Sequence, residues 1–136
     1  MGRVFFNTRK NVQDVDGAHT MAAADSGKVF TLSSTAGACE ITLLPAADLV
    51  EGWNCRFINT ASPSGDKVIG AGSAIMHGAT ANTDASGGGA ASDGTAKSSV
   101  TIEAASQAGN FVEIVCDWSA YYVSGTHGQN NATTFA

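Results

Sequence analysis

The sequence predicts an all-β fold: a single-domain β-sandwich or jelly-roll-like barrel of short strands, preceded by an extended N-terminal arm. Three observations carry this expectation. Short apolar runs such as Val29-Phe30-Thr31-Leu32 and Phe111-Val112-Glu113-Ile114-Val115-Cys116 recur along the chain. Gly, Ala, Ser, Thr and Asp punctuate them throughout. No run is long enough, or periodic enough, to insist on a helix. About nine or ten short strands at turn spacing bury their apolar faces most readily as two packed sheets or a closed barrel.

The elements follow in order. Residues 1–17 read as an arm, with a short strand at Val4-Phe5-Phe6 and a turn at Asp14-Val15-Asp16-Gly17. His19 to Ala22 reads as a second short strand, and Asp25-Ser26-Gly27 as turn chemistry before a strand from Lys28 to Leu32. Ile41 and Leu43 share a face of the next strand, which Pro45 stops because proline cannot donate to a ladder. Ala46 to Glu51 is a helical turn closed by Gly52, and Trp53 to Asn59 a strand. Residues 61–66 form a turn cluster, with short strands at Lys67-Val68-Ile69 and Ala74-Ile75-Met76 around a Gly70-Ala71-Gly72 bend.

Residues 78–98 are the lowest-complexity stretch, centred on Gly87-Gly88-Gly89, and read as a loop. Ser99 to Ala104 and Asn110 to Asp117 are the clearest strands, and Tyr121 to Gly125 follows the turn at Trp118-Ser119-Ala120. The body, residues 18–125, is thus one sandwich domain, and residues 126–136 are a polar tail apart from Phe135.

A chain of 136 residues can bury a core of its own without disulfides. Charged residues make up 14%, against roughly 25% in ordinary soluble domains. That deficit suits a surface covered by neighbouring copies. The net charge of −5 speaks against a nucleic-acid groove, which needs clustered Lys and Arg. Arg3, Arg9 and Lys10 place three of the seven basic residues in the first ten positions, with no acid among them. A basic arm therefore precedes an acidic body, and the arm suits an acidic surface such as a neighbouring copy or a larger assembly.

Cys39, Cys55 and Cys116 match no zinc spacing and sit in or beside apolar runs, so buried free thiols and folding in a reducing cytoplasm are expected. No secretory leader is read at the start, and no run approaches the roughly 18 apolar residues of a membrane span, so neither membrane nor nucleic acid is an expected partner.

Candidate chemistry is thin. Gly70-Ala71-Gly72 lacks the following helix that a dinucleotide site requires, and reads as a bend. Asp14 with Asp16, and Asp84 with Asp93, fall short of the ligand density of a calcium loop. His19, His77 and His127 stand at no recognisable spacing from a nucleophile, and no G-x-S-x-G elbow occurs. No catalytic, metal-binding or cofactor-binding residue is therefore assigned, and the chain is not expected to be an enzyme. Trp53, Trp118, Tyr121 and Tyr122 are core or subunit contacts first and a sugar platform second. Neighbouring Tyr121 and Tyr122 must point to opposite faces, which brings one of them toward the surface.

Four pieces carry a family resemblance: Asp25 to Leu32; Ile41-Thr42-Leu43-Leu44-Pro45-Ala46-Ala47 with Gly52-Trp53 and Phe57-Ile58; Ile69 to Gly78; and Gly109 to Asp117 ending in Tyr121-Tyr122-Val123-Ser124-Gly125. This order resembles the small head decoration, or cement, proteins of tailed bacteriophages, with Tyr122 where the family often has Trp. A similar module occurs in phage tail-fibre and spike proteins. The resemblance implies a sandwich or jelly-roll-like subunit, made in the bacterial host cytoplasm, that forms homotrimers on the outer capsid surface and clamps the major capsid protein. Candidate capsid or subunit contacts are then Arg3, Phe5, Phe6, Arg9 and Lys10 of the arm, Tyr122, and Phe135 of the tail. The alternative is a receptor-binding fibre module that recognises a carbohydrate.

Overall fold

Burial alternates along Asn54–Asn59: Cys55, Phe57 and Asn59 are buried while Asn54, Arg56 and Ile58 turn outward. Phe111–Cys116 repeats the period, with Val112, Ile114 and Cys116 buried. This two-residue alternation is what a strand covered on one face produces. The computed structural model describes residues 11–32, 37–60, 65–83, 92–128 and 132–136.

Among the described residues twelve strands form two mixed sheets, so the fold is an all-β sandwich. The strands are β1 (Val12–Val15), β2 (His19–Thr20), β3 (Val29–Leu32), β4 (Cys39–Thr42), β5 (Asn54–Asn59), β6 (Lys67–Gly70), β7 (Met76–Asn82), β8 (Ser92–Lys97), β9 (Ser99–Ile102), β10 (Phe111–Cys116), β11 (Tyr121–His127) and β12 (Thr133–Phe135). The first sheet runs β1-β3-β5-β10-β11-β7-β8 and the second β12-β9-β6-β4-β2.

The order has a simple logic in its first half. From β1 to β6 each strand changes sheet, and β1, β3 and β5 stack parallel on one another while β2, β4 and β6 do the same opposite. The chain therefore winds round the core in successive turns. Short links impose this: the four Cα steps from Val15 to His19 reach about 14 Å, enough to cross the roughly 10 Å between packed sheets.

The core lies between the sheets and needs no disulfide; Cys55 and Cys116 are buried free thiols and Cys39 is partly exposed. Phe30 and Phe57, partners in the parallel β3–β5 register, stack with ring centroids 5.3 Å apart. Trp53 meets Tyr121 edge-on at 6.4 Å. Burying each such ring contributes about 2–3 kcal/mol.

The structure departs from the sequence reading in three places. Val12–Val15, read as part of an N-terminal arm, pairs with β3 as an edge strand. Residues 78–98 are not one loop: β7 runs through them to Asn82, parallel to β11, and β8 returns antiparallel from Ser92. Backbone pairing makes those strands without a strong apolar pattern. The tail is not free either, since Thr133–Phe135 pairs with β9, and the Ala136 carbonyl accepts from the N–H groups of Ser98 and Ser99. Phe135 packs on the core, so close to Gly94 that a Cβ there would lie 2.6 Å from its ring.

Candidate functional site

The turn joining β10 to β11 is built by one side chain. Asp117 Oδ1 accepts from the Ser119 N–H (3.0 Å), the Ser119 hydroxyl (2.8 Å) and the Ala120 N–H (2.8 Å). The Asp117 N–H donates to the Ala120 carbonyl at 3.2 Å and closes the turn. The Ser119 hydroxyl above all, then the Ala120 and Ser119 N–H groups, hold the Asp117 carboxyl at about 2, well below its ordinary value.

Trp118 sits at the tip of this turn with φ +66° and is 62% exposed. A left-handed conformation is uncommon for any residue but glycine, and for a bulky indole it is an outlier held by its surroundings. Here the Asp117 bonds hold it on one side, and the Trp118 N–H donates to Cys116 Sγ at 3.4 Å on the other.

Other apolar side chains gather at the same end. The Gly52 N–H donates to the Cys116 carbonyl and the Cys116 N–H to the Trp53 carbonyl, which brings exposed Val50 beside the Trp118 turn. Val115 and Tyr122 are cross-strand partners on the outer face, and Tyr122 stacks on His77, its partner in β7, at 6.1 Å. The Tyr122 hydroxyl donates to Asp117 Oδ2 at 3.0 Å. Four of the five large exposed apolar side chains among the described residues, Val50, Val115, Trp118 and Tyr122, thus share one end; the fifth is Val12 on β1. A groove of about 580 Å³ lies beneath Trp118, lined by Pro45, Ala46, Gly72 and Ile75 among others.

Acidic side chains flank the groove. Asp48 follows the groove-lining Ala47, Glu51 follows Val50, and both are exposed. Three of the body's four cations are committed elsewhere: Lys28 pairs with Asp25 at 2.6 Å, Arg56 pairs with Glu113 and lies over the Phe111 ring, and buried Lys67 donates to the Gly37 carbonyl. The fourth, half-buried Lys97, stands on β8 opposite Met76.

Of the contact residues read from sequence, Tyr122 lies in this exposed end. Phe135 lies elsewhere, half-buried on β12 and packed against the core. Arg3, Phe5, Phe6, Arg9 and Lys10 lie outside the described residues. Among the aromatics weighed as a sugar platform, Trp53 and Tyr121 are buried and cannot serve, and Tyr121 instead donates its hydroxyl to the Leu44 carbonyl. Val50 was invisible in the sequence, where one valine between Leu49 and Glu51 carries no signal. Among the described residues no three His, Cys, Asp or Glu side chains are placed to hold a metal ion. Burial raises all three cysteine thiols. No described helix is long and apolar enough to cross a membrane.

Comparison with family models, with curated proteins and with solved structures gives no match.

Proposed function

We propose that this chain is a virion structural protein that binds the outer surface of a phage capsid as a homotrimeric decoration, or cement, protein and stabilises the lattice of the major capsid protein. The observation that carries the reading is the exposed apolar end around Trp118, an uncovered contact surface of the kind a subunit of an assembly presents to its neighbours. A strained, outward-held Trp with Tyr122, Val50 and Val115 beside it is the composition of a protein-binding hot spot: aromatic anchors ringed by polar groups. The sequence pieces that resemble the decoration family supply the biological setting. Cementing of this kind is mechanical. A protein that binds the assembled lattice but not separated subunits adds its binding free energy to lattice stability.

The test is titration of the purified chain onto undecorated capsids, read by gel occupancy and by the capsid's heat-disassembly temperature. Saturable occupancy with a raised disassembly temperature is expected. Absence of co-sedimentation with capsids at micromolar concentration overturns the reading.

A second reading, a carbohydrate-binding fibre module, is favoured by one feature. Trp118 offers an open ring face beside an ionised carboxylate, the pairing that sugars use for stacking and hydrogen bonding. Saturable binding on a glycan array, lost in Trp118→Ala, supports it over the first.

A further inference from the structure

We propose that the Trp118 end is the docking site for the basic N-terminal segment of a second copy of this chain. The inference rests on reading the chain as a self-assembling surface protein, and it names the occupant of the exposed end.

Charge selects the occupant. The end presents Asp48, Glu51 and the firmly ionised Asp117 around an open indole face, a setting that attracts a cation through both Coulomb and ring-quadrupole terms. Lys28, Arg56 and Lys67 are engaged within the body. Of the four remaining cations Lys97 stands alone on β8, and Arg3, Arg9 and Lys10 cluster in a ten-residue stretch without an acid. That stretch also carries Phe5 and Phe6, and the groove of about 580 Å³ beneath Trp118 is apolar and of a size for such rings.

Sheet geometry favours a neighbour as the donor of the whole segment. Asn11 leads into edge strand β1, and β1 lies three strand intervals from β10 in the first sheet. At about 4.8 Å per interval that is about 14 Å sideways, and Trp118 lies a further ~13 Å along the strand direction, so the separation is about 19 Å. Arg9 is two residues from Asn11 and reaches about 7 Å of backbone in its own chain. Arg9 and Lys10 therefore meet a Trp118 end only on another copy, whereas Arg3, Phe5 and Phe6 have the backbone length to reach either their own or a neighbour's. A contact in which the start of one copy seats on the far side of the next is heterologous, and closes into a ring when the rotation permits.

The experiment compares the full chain, the triple variant Arg3→Glu/Arg9→Glu/Lys10→Glu, and Trp118→Ala, by light scattering at tens of micromolar in low and high salt. Circular dichroism checks that each is folded. An oligomer of the wild-type chain that weakens with salt is expected, with at least a tenfold rise in its dissociation constant in both variants. Intrinsic fluorescence gives a second readout: the exposed indole of Trp118 shifts to longer wavelength on dissociation, a change absent from Trp118→Phe because Trp53 stays buried. A wild-type monomer overturns the proposal, as does an oligomer of unchanged affinity in the triple variant. Capsid occupancy measured on the same variants separates this failure from failure of the decoration reading. Wild-type monomers that lose capsid binding in Trp118→Ala assign the end to the capsid protein instead.

Discussion

Tyr122 donates its phenol to Asp117 Oδ2 at 3.0 Å, while three donors from Ser119 and Ala120 converge on the other oxygen of the same carboxylate. One side chain thus fixes both the turn that raises Trp118 and the orientation of the neighbouring exposed ring. The same bond raises the Tyr122 hydroxyl above its ordinary value, since the phenol is the donor to a carboxylate.

That arrangement sets a pH dependence. The folded Asp117 titrates at about 2 and the unfolded one near the ordinary value of 3.8. Its contribution to stability is therefore complete above the unfolded value and is lost as pH falls through the window between 3.8 and about 2. Urea midpoints measured from pH 6 to pH 2 are expected to fall less steeply below pH 4 in Asp117→Asn than in the wild type. Parallel profiles would show that the carboxylate's bonds contribute nothing.

Trp118→Gly tests whether the tryptophan is kept for contact or for folding. Glycine takes a φ of +66° without steric cost, so relief of about 1 kcal/mol of strain offsets glycine's extra unfolded-state entropy of about 0.5–1 kcal/mol. Chemical denaturation is expected to give a stability within about 1 kcal/mol of the wild type. A loss above about 2 kcal/mol would make Trp118 a packing residue instead.

The adjacent tyrosines are expected to answer differently to the same substitution. Tyr121→Phe leaves the Leu44 carbonyl without the phenol in a buried setting and costs about 1–2 kcal/mol. Tyr122→Phe removes a bond at an exposed position and stays within about 0.5 kcal/mol of the wild type. Guanidinium unfolding of the pair checks both values.

Gly78 is a position in β7 where a side chain would collide with β11. A Cβ there would lie 1.9 Å from the Val123 carbonyl oxygen, on a backbone with φ +150° that side chains rarely adopt. Gly78→Ala is expected to cost about 3 kcal/mol or more, since backbone on both strands must shift. Gly70→Ala is the control: nothing lies within 4 Å of its Cβ, and its effect is expected to be neutral or stabilising by up to about 1 kcal/mol. Thermal melts of the two variants distinguish local collision from a general intolerance of alanine.

What the sequence determined by itself was the all-β character and the position of most core strands. Two-residue alternation is written locally, in runs such as Cys55, Phe57 and Val112, Ile114, and survives without knowledge of neighbours. Turn chemistry did the same for Asp25 to Gly27 and for Gly52. It also brought one of Tyr121 and Tyr122 toward the surface, because adjacent strand residues point apart, and the structure shows that one to be Tyr122.

The tertiary structure decided everything that depends on which strands meet. Met76 to Asn82 has few apolar side chains, and becomes a strand because β11 supplies its backbone bonds in register. The polar tail becomes part of the second sheet because β12 pairs with β9 and the Phe135 ring rests on Gly94. The alternation of β1 to β6 between sheets follows from link lengths acting together with parallel pairing, and neither sheet's order is legible from one strand. Trp118 is the clearest case. The sequence offered a tryptophan in a turn, whereas its left-handed backbone, its exposure and its company of Val50, Val115 and Tyr122 arise from hydrogen bonds between β10, β11 and the segment before β5. Local patterns encode what a residue prefers to bury; only long-range pairing determines what is left uncovered.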